Sequence, residues 1–231
     1  KLSWIRLSNG LMSIYRENKY DKKIVYEIAE NIGFKGQSNI SVENKYRWNN
    51  EKENWIGGLS QIRMATLFLF YFIIWKEELF LDLSDSLLSY AIKNCSKKNT
   101  FFIQEYPNSG PKYKDVINCE LFFILHLLNR KKIEKFSFDH ELDNHIEILK
   151  KQMENLFFFD GWLKYNLAES NFPNPSTPAY QSLHKNLLIS LTTFKEMEFL
   201  NQILKEVETA LYSRKHFLYA FIIKILHRTF P

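Results

Sequence analysis

Five side chains able to donate or accept protons stand next to residues that stop or start helices: Glu105, Tyr106, Tyr165, Tyr180 and His184. In Gln104-Glu105-Tyr106-Pro107, the proline steers Tyr106 away from helical angles, so the segment is extended and the side chains of Glu105 and Tyr106 diverge. Phe101, Phe102 and Ile103 precede the glutamate, and partial desolvation there would raise a carboxyl pKa toward the range useful for general acid/base work. The plain alternative is a loop carboxylate capping a neighbouring helix. Tyr165 and Tyr180 flank the rigid run Asn171-Phe172-Pro173-Asn174-Pro175-Ser176-Thr177-Pro178. His184 follows Tyr180 by four residues and shares its face on a helix. A phenol delivers a proton when a neighbouring cation or histidine assists it. Taken singly, Tyr180 also reads as a core residue with a wet tip, and His184 as a structural histidine.

Other chemistries lack their residues. His140 and His145 are five apart and point different ways on a helix, and Cys95 and Cys119 have neither metal nor redox spacing. There is no glycine-rich phosphate loop and no Gly-x-Ser-x-Gly elbow. No metal and no cofactor is expected. Of the five tryptophans, Trp4, Trp48, Trp55, Trp75 and Trp162, one or two are available in principle to stack on a sugar ring, while core packing accounts for most.

The elements that must position these groups are helical. The 231 residues are 45% hydrophobic and 16% aromatic with only 7 Gly and 6 Pro, which excludes disorder and a turn-dense β fold. No linker divides the chain, so residues 1–231 read as a single domain. Helix-period apolar spacing marks segments near 11–19, 22–32, 58–75, 78–94, 115–130, 139–158, 180–194, 196–212 and 214–228. Between the second and third, Ile40, Val42, Tyr46 and Trp48 alternate with polar residues and predict a small β-hairpin within 36–54. The expected core comprises Leu67, Phe68, Tyr71, Phe72, Leu87, Leu88, Leu121, Phe122, Leu125, Leu128, Ile146, Leu149, Leu187, Leu188 and Leu191. Short loops force neighbouring helices antiparallel, and repeated pairs make an α/α toroid, here an incomplete α/α barrel, with loops gathered around a cleft at one end.

A net charge of +5 favours anionic partners. The lysine pairs Lys22-Lys23, Lys97-Lys98 and Lys131-Lys132 are interleaved with acids and read as solvated faces. The apolar run from Ile62 to Trp75 contains Arg63 and falls short of the roughly 20 residues that cross a bilayer, so it reads as a buried helix and no transmembrane segment is expected. The chain begins at Lys1 with no signal-peptide pattern, which leaves open whether a signal, anchor or domain precedes it.

The order of these motifs resembles the C-terminal domain of the D-glucuronyl C5-epimerases along most of the chain. Trp55-Ile56-Gly57-Gly58-Leu59-Ser60-Gln61 is similar to that family's Trp-x-x-x-x-Ala-Gln segment. Gln104-Glu105-Tyr106-Pro107 resembles its Glu-Glu-Tyr-Pro loop, and Asn118-Cys119-Glu120-Leu121 falls where its Asn-Gly-x-x-x-Ser-Leu helix begins. Gly161-Trp162 and Tyr165-Asn166-Leu167 resemble its glycine turn and Tyr-Asp-Leu segment, and Tyr180-Gln181-Ser182-Leu183-His184 its Tyr-His-x-x-His helix start.

The resemblance implies inversion at C5 of a uronate in an acidic polysaccharide or oligosaccharide, with no nucleic acid partner. Glu105 and Tyr180 would be the acid/base pair, Tyr106, Tyr165 and Asn166 would bind substrate, and Gln61 and His184 would line or brace the cleft. Two departures stand out: Asn166 replaces the family's Asp, and Ala168 replaces the Arg that binds the substrate carboxylate. Lys164, Arg47 and Arg63 are the substitutes to consider. The loss of that Arg keeps open a glycan-binding domain without turnover, and the fold keeps open another toroid enzyme, a lyase or a glycoside hydrolase with Asp160 or Glu169 as second carboxylate. The compartment is the cytoplasm for a bacterial polysaccharide-cluster protein, and the secretory pathway or cell surface otherwise.

Overall fold

A computed structural model describes residues 22–32, 40–44, 54–96, 101–108, 113–168 and 170–230. The helix expected at 11–19 and most of the hairpin expected within 36–54 lie outside them. Beside them the described residues hold one antiparallel bridge, Asn44 with Trp55. Eight α-helices and one two-stranded sheet are described, so the protein is mainly α, as its periodicity predicts. The chain forms two compact units, one of residues 1–99 with 103–109 and the other of 100–102 with 110–231.

The first unit holds α1 (Lys22–Asn31), α2 (Gly58–Trp75) and α3 (Glu78–Cys95). Among the described residues, α2 is the helix long and apolar enough to cross a membrane, but 72% of it is buried in the fold, as suits a core helix. Lys76 ends it in a left-handed conformation (φ 55°), its N–H donating to Phe72 O at 2.8 Å. Only Glu77 then separates Lys76 from α3, so α2 and α3 pack as an antiparallel pair. Their seam buries Leu67, Phe68, Tyr71, Phe80, Leu83 and Leu87.

The second unit holds α4 (Ile117–Lys131), α5 (Asp139–Leu156), β1 (Phe157–Phe159), β2 (Trp162–Leu163), α6 (Pro178–Leu191), a 3-10 helix (Lys195–Leu200), α7 (Asn201–Leu211) and α8 (Arg214–Thr229). α4 packs on α5 and α6, and α7 on α6 and α8. The apolar positions expected in these helices are buried except Phe122 and Leu125, which are half-buried.

The sheet is a hairpin between α5 and α6, where a helix was expected to run on to 158. Phe157-Phe158-Phe159 is β-prone, and Asp160-Gly161 turns the chain. Gly161 has φ +80°, and a Cβ there would sit 2.3 Å from Glu206 O on α7. The expected 196–212 helix opens as the 3-10 segment and becomes α-helical only at Asn201.

Candidate functional site

In the first unit, the extended segment carrying Glu105 and Tyr106 lies against the start of α2. The Gly58 N–H donates to Gln104 O at 3.0 Å, and Gln104 N–H to Cys95 O at 2.9 Å. A Cβ at Gly57 would fall 2.6 Å from Glu105 O, and one at Gly58 would fall 2.6 Å from Gln104 O. The two glycines therefore permit an approach that no other residue would allow. Glu105 is 5% exposed and Tyr106 7%. The Tyr106 ring lies 5.4 Å from that of Trp55.

Gln61, fully buried on the first turn of α2, accepts from Val42 N–H at 2.9 Å and donates to Val42 O at 2.7 Å. It pairs with the backbone of 40–44 as a neighbouring strand would. Arg63 is buried on the same helix, and burial brings its guanidinium down to about 10. Arg47 lies outside the described residues.

In the second unit, residues 162–167 form a backbone platform bonded on two sides. Asn166 bridges Val116 and Lys164 bridges Pro175, both antiparallel. Ile117 N–H donates to Tyr165 O at 3.1 Å, and Leu167 N–H to Asp115 O at 3.1 Å. Ser176 N–H donates to Leu163 O at 2.9 Å, and Trp162 Nε1 donates to Ser176 O at 2.9 Å. Gln181 of α6 clamps the hairpin, donating to Gly161 O at 2.9 Å and accepting from Leu163 N–H at 3.1 Å.

This platform fixes Tyr165, and the rigid loop returns the chain to α6, where Thr177 caps the helix by accepting from Tyr180 N–H. Tyr165 and Tyr180 meet edge to face, with ring centroids 4.9 Å apart and planes at 73°. His184, one turn beyond Tyr180, is completely buried; its Nδ1 lies 3.3 Å from Ser176 Oγ, which donates to Lys164 O at 3.0 Å. Burial drives the imidazole down to about 3, so it is neutral at ordinary pH.

Sequence reasoning missed Lys224, on α8. Its ammonium stands 5.4 Å from the centroid of the Tyr165 ring, donates to Asn174 Oδ1, and donates to Pro175 O at 2.9 Å. Asn174 Nδ2 in turn donates to Asn166 Oδ1 at 3.0 Å, so the cation is tied to the platform through two amides. Burial, and then the charge of Arg228, lower Lys224 to about 8. An ammonium has three donors, and two are committed among the described residues. Lys224 and Arg228 also border a cavity of about 330 Å³ walled by Trp162, Thr177, Phe217 and Phe221. The one local signal for Lys224 was its place on the inner face of α8, near Ala220 and His227 in the helical repeat.

Lys164, half-buried on the platform, is also lowered by burial. Asp160 lies at the hairpin turn with its carboxylate 3.2 Å from His216 Nε2, and Glu169 lies outside the described residues. A further buried ion pair went unread: Glu120 of α4 and His145 of α5, 2.6 Å apart. Among the described residues no group of three or more His, Cys, Asp or Glu is placed to hold a metal ion.

Comparison with known proteins identifies a family and a fold. The model of the family described as D-glucuronyl C5-epimerase C-terminus matches residues 31–209. Among solved structures, a protein named as a polysaccharide lyase superposes with a TM-score of 0.53 at 12% identity, over 78% of this chain and 63% of its own. At that identity the likeness is one of fold, in keeping with the α/α toroid class expected from the helix order. No curated protein matches the chain.

Proposed function

Because this chain belongs to the D-glucuronyl C5-epimerase C-terminus family, we propose that it is a carbohydrate-active protein that inverts C5 of a uronate in an acidic polysaccharide. The observation that carries this reading is the Tyr165–Tyr180 pair with the Lys224 ammonium beside it. The C5–H bond is acidified by the adjacent carboxylate. When a base takes that proton, the bonding electron pair moves into the carboxylate, and a cation is needed to offset the added charge. A proton delivered to the opposite face re-forms C5–H with inverted configuration.

In this reading Glu105 and Tyr180 are the two acid/base groups, while Tyr106 and Tyr165 hold the sugar. Asn166 contributes through its amide pairing with Asn174, and Gln61 and His184 brace the backbone around them. Lys224 supplies the charge that Ala168 does not. It lies beyond residues 31–209, so no family pattern announces it.

The acid/base groups exchange their protons with water between turnovers, so deuterium from heavy water enters C5. Incorporation by the wild-type protein, lost in Tyr180→Phe and in Glu105→Gln, is the expected result. No incorporation with any uronate polymer would overturn the reading. Ala168 favours a second one, a glycan-binding domain without turnover, in which Glu105→Gln binds as well as wild type and no deuterium enters. Elimination starts with the same proton removal but breaks the C4–O bond, and a product with a C4–C5 double bond would assign the protein to lyase chemistry instead.

A further inference from the structure

Among the described residues, eight of the twelve large apolar side chains exposed to solvent fall between Tyr212 and Phe230, on or beside α8. They are ordered. Arg214, Leu218, Phe221, Ile225 and Arg228 follow one another at helical spacings of four and three, giving an exposed apolar stripe with an arginine at each end. Phe217 and Ile222 widen the stripe, and exposed Lys215 adds charge at the first turn. No Asp or Glu occurs after Glu208.

The opposite face of the helix is committed to the fold. Ala220 is buried against Trp162 and Ala210, Lys224 bonds Asn174 and Pro175, and His227 Nδ1 lies 2.8 Å from Phe172 O.

We infer that α8 docks this protein on an anionic membrane surface, lying in the interface with its apolar stripe in the acyl boundary and Arg214, Lys215 and Arg228 among the headgroups. Charge decides between occupants. A second copy packed about a two-fold axis would set this helix against itself, bringing arginines and lysine together with no acid in the helix to neutralise them. A soluble polyanion would leave the phenylalanines, leucine and isoleucines between the cations in water. An anionic lipid surface satisfies both kinds of side chain, with long cationic side chains reaching up from an apolar face. At 16 residues the helix is about 24 Å long, shorter than a span, and its inner face is already bonded, so it lies on the bilayer.

The test is co-sedimentation of the full chain with vesicles of phosphatidylcholine alone and of phosphatidylcholine with phosphatidylglycerol. Binding to the anionic vesicles is expected, at least tenfold above the neutral ones and weakening as salt rises. Both Leu218→Ser/Phe221→Ser and Arg214→Gln/Arg228→Gln should reduce it tenfold or more. All four residues are exposed, so circular dichroism and melting temperature should match wild type. Equal binding to both vesicle types, or none to the anionic ones, overturns the inference. So does a dimer in light scattering that Leu218→Ser/Phe221→Ser converts to monomer, which would assign the stripe to a second copy.

Discussion

The Lys224 ammonium lies 5.4 Å from the ring centroid of Tyr165, although 59 positions separate the two residues in the chain. The contact brings a cation to the phenol pair that the motif order singles out, and it does so from a helix that carries none of those motifs. Removing the charge while keeping much of the side chain's bulk tests what the cation does. Lys224→Met should lower kcat for C5 exchange by about a hundredfold or more, the scale of losing one electrostatic stabiliser of a developing negative charge. Lys224→Arg should retain a measurable share. Binding of the polymer, read separately by calorimetry, should weaken less than kcat.

The pH dependence follows from the same group. Lys224 is held at about 8, so it is protonated below that value and loses its charge above it. Exchange should fall as pH rises through about 8, and in Lys224→Arg the fall should vanish because an arginine stays charged. A wild-type profile that stays level through pH 9 would separate Lys224 from the chemistry. The sign for stability is opposite. Folded Lys224 titrates below its ordinary value of 10.5, so its burial costs stability while it is charged, and that cost declines as pH rises from about 8 toward 10.5.

Gly58 sets the position of the Glu105 segment through a close approach to backbone. In Gly58→Ala the new Cβ would meet Gln104 O at 2.6 Å, and that carbonyl must move. Exchange should drop at least tenfold, and the variant should lose about 1 to 3 kcal/mol in urea unfolding. Ser89→Ala, at an exposed position of α3, should leave exchange near wild type.

The Glu120–His145 pair joins α4 to α5 at 2.6 Å. Burial acts to lower the imidazole, but the charge and hydrogen bond of Glu120, with Glu141, outweigh it and raise His145 above its usual value. The stability it confers is present below about 6.5 and is lost as pH rises through the raised value. Glu120→Gln should cost about 3 kcal/mol at pH 6 and bring the His145 titration, followed by NMR, downward.

His184 responds in the opposite direction. Folded it titrates near 3, against 6.5 when exposed, so the unfolded chain binds a proton that the folded one refuses. Stability should decline as pH falls from about 6.5 toward 3, by on the order of a few kcal/mol in all. His184→Gln should flatten that part of the profile, as measured by urea unfolding from pH 7 to 4.

Much of the fold was legible because the helices are amphipathic or wholly apolar at the helical repeat. The span from Gly58 to Trp75 is the same by periodicity and by structure, since the glycines and Lys76 mark both its ends. Phe157 and Phe158 were absorbed into the preceding helix because a short apolar run has no period of its own, and only the pairing of Phe157–Phe159 with β2 makes it a strand. The Tyr165–Tyr180 cluster was foreshadowed by two tyrosines flanking a proline-rich loop. Lys224 was not, because a lysine on a basic helix reads as solvated until the opposing Asn174 and Pro175 are known. Glu120 and His145 were hidden for the same reason: each looks ordinary alone, and the pairing exists only once α4 packs on α5.

Wild-type protein incubated with a glucuronate-containing polymer in heavy water, with C5 read by NMR, gives the sharpest test of C5 inversion. Deuterium should enter C5 with some inversion of configuration, the polymer should stay intact, and Tyr180→Phe should abolish incorporation. A folded wild-type protein that binds the polymer yet leaves every C5 proton in place would contradict it.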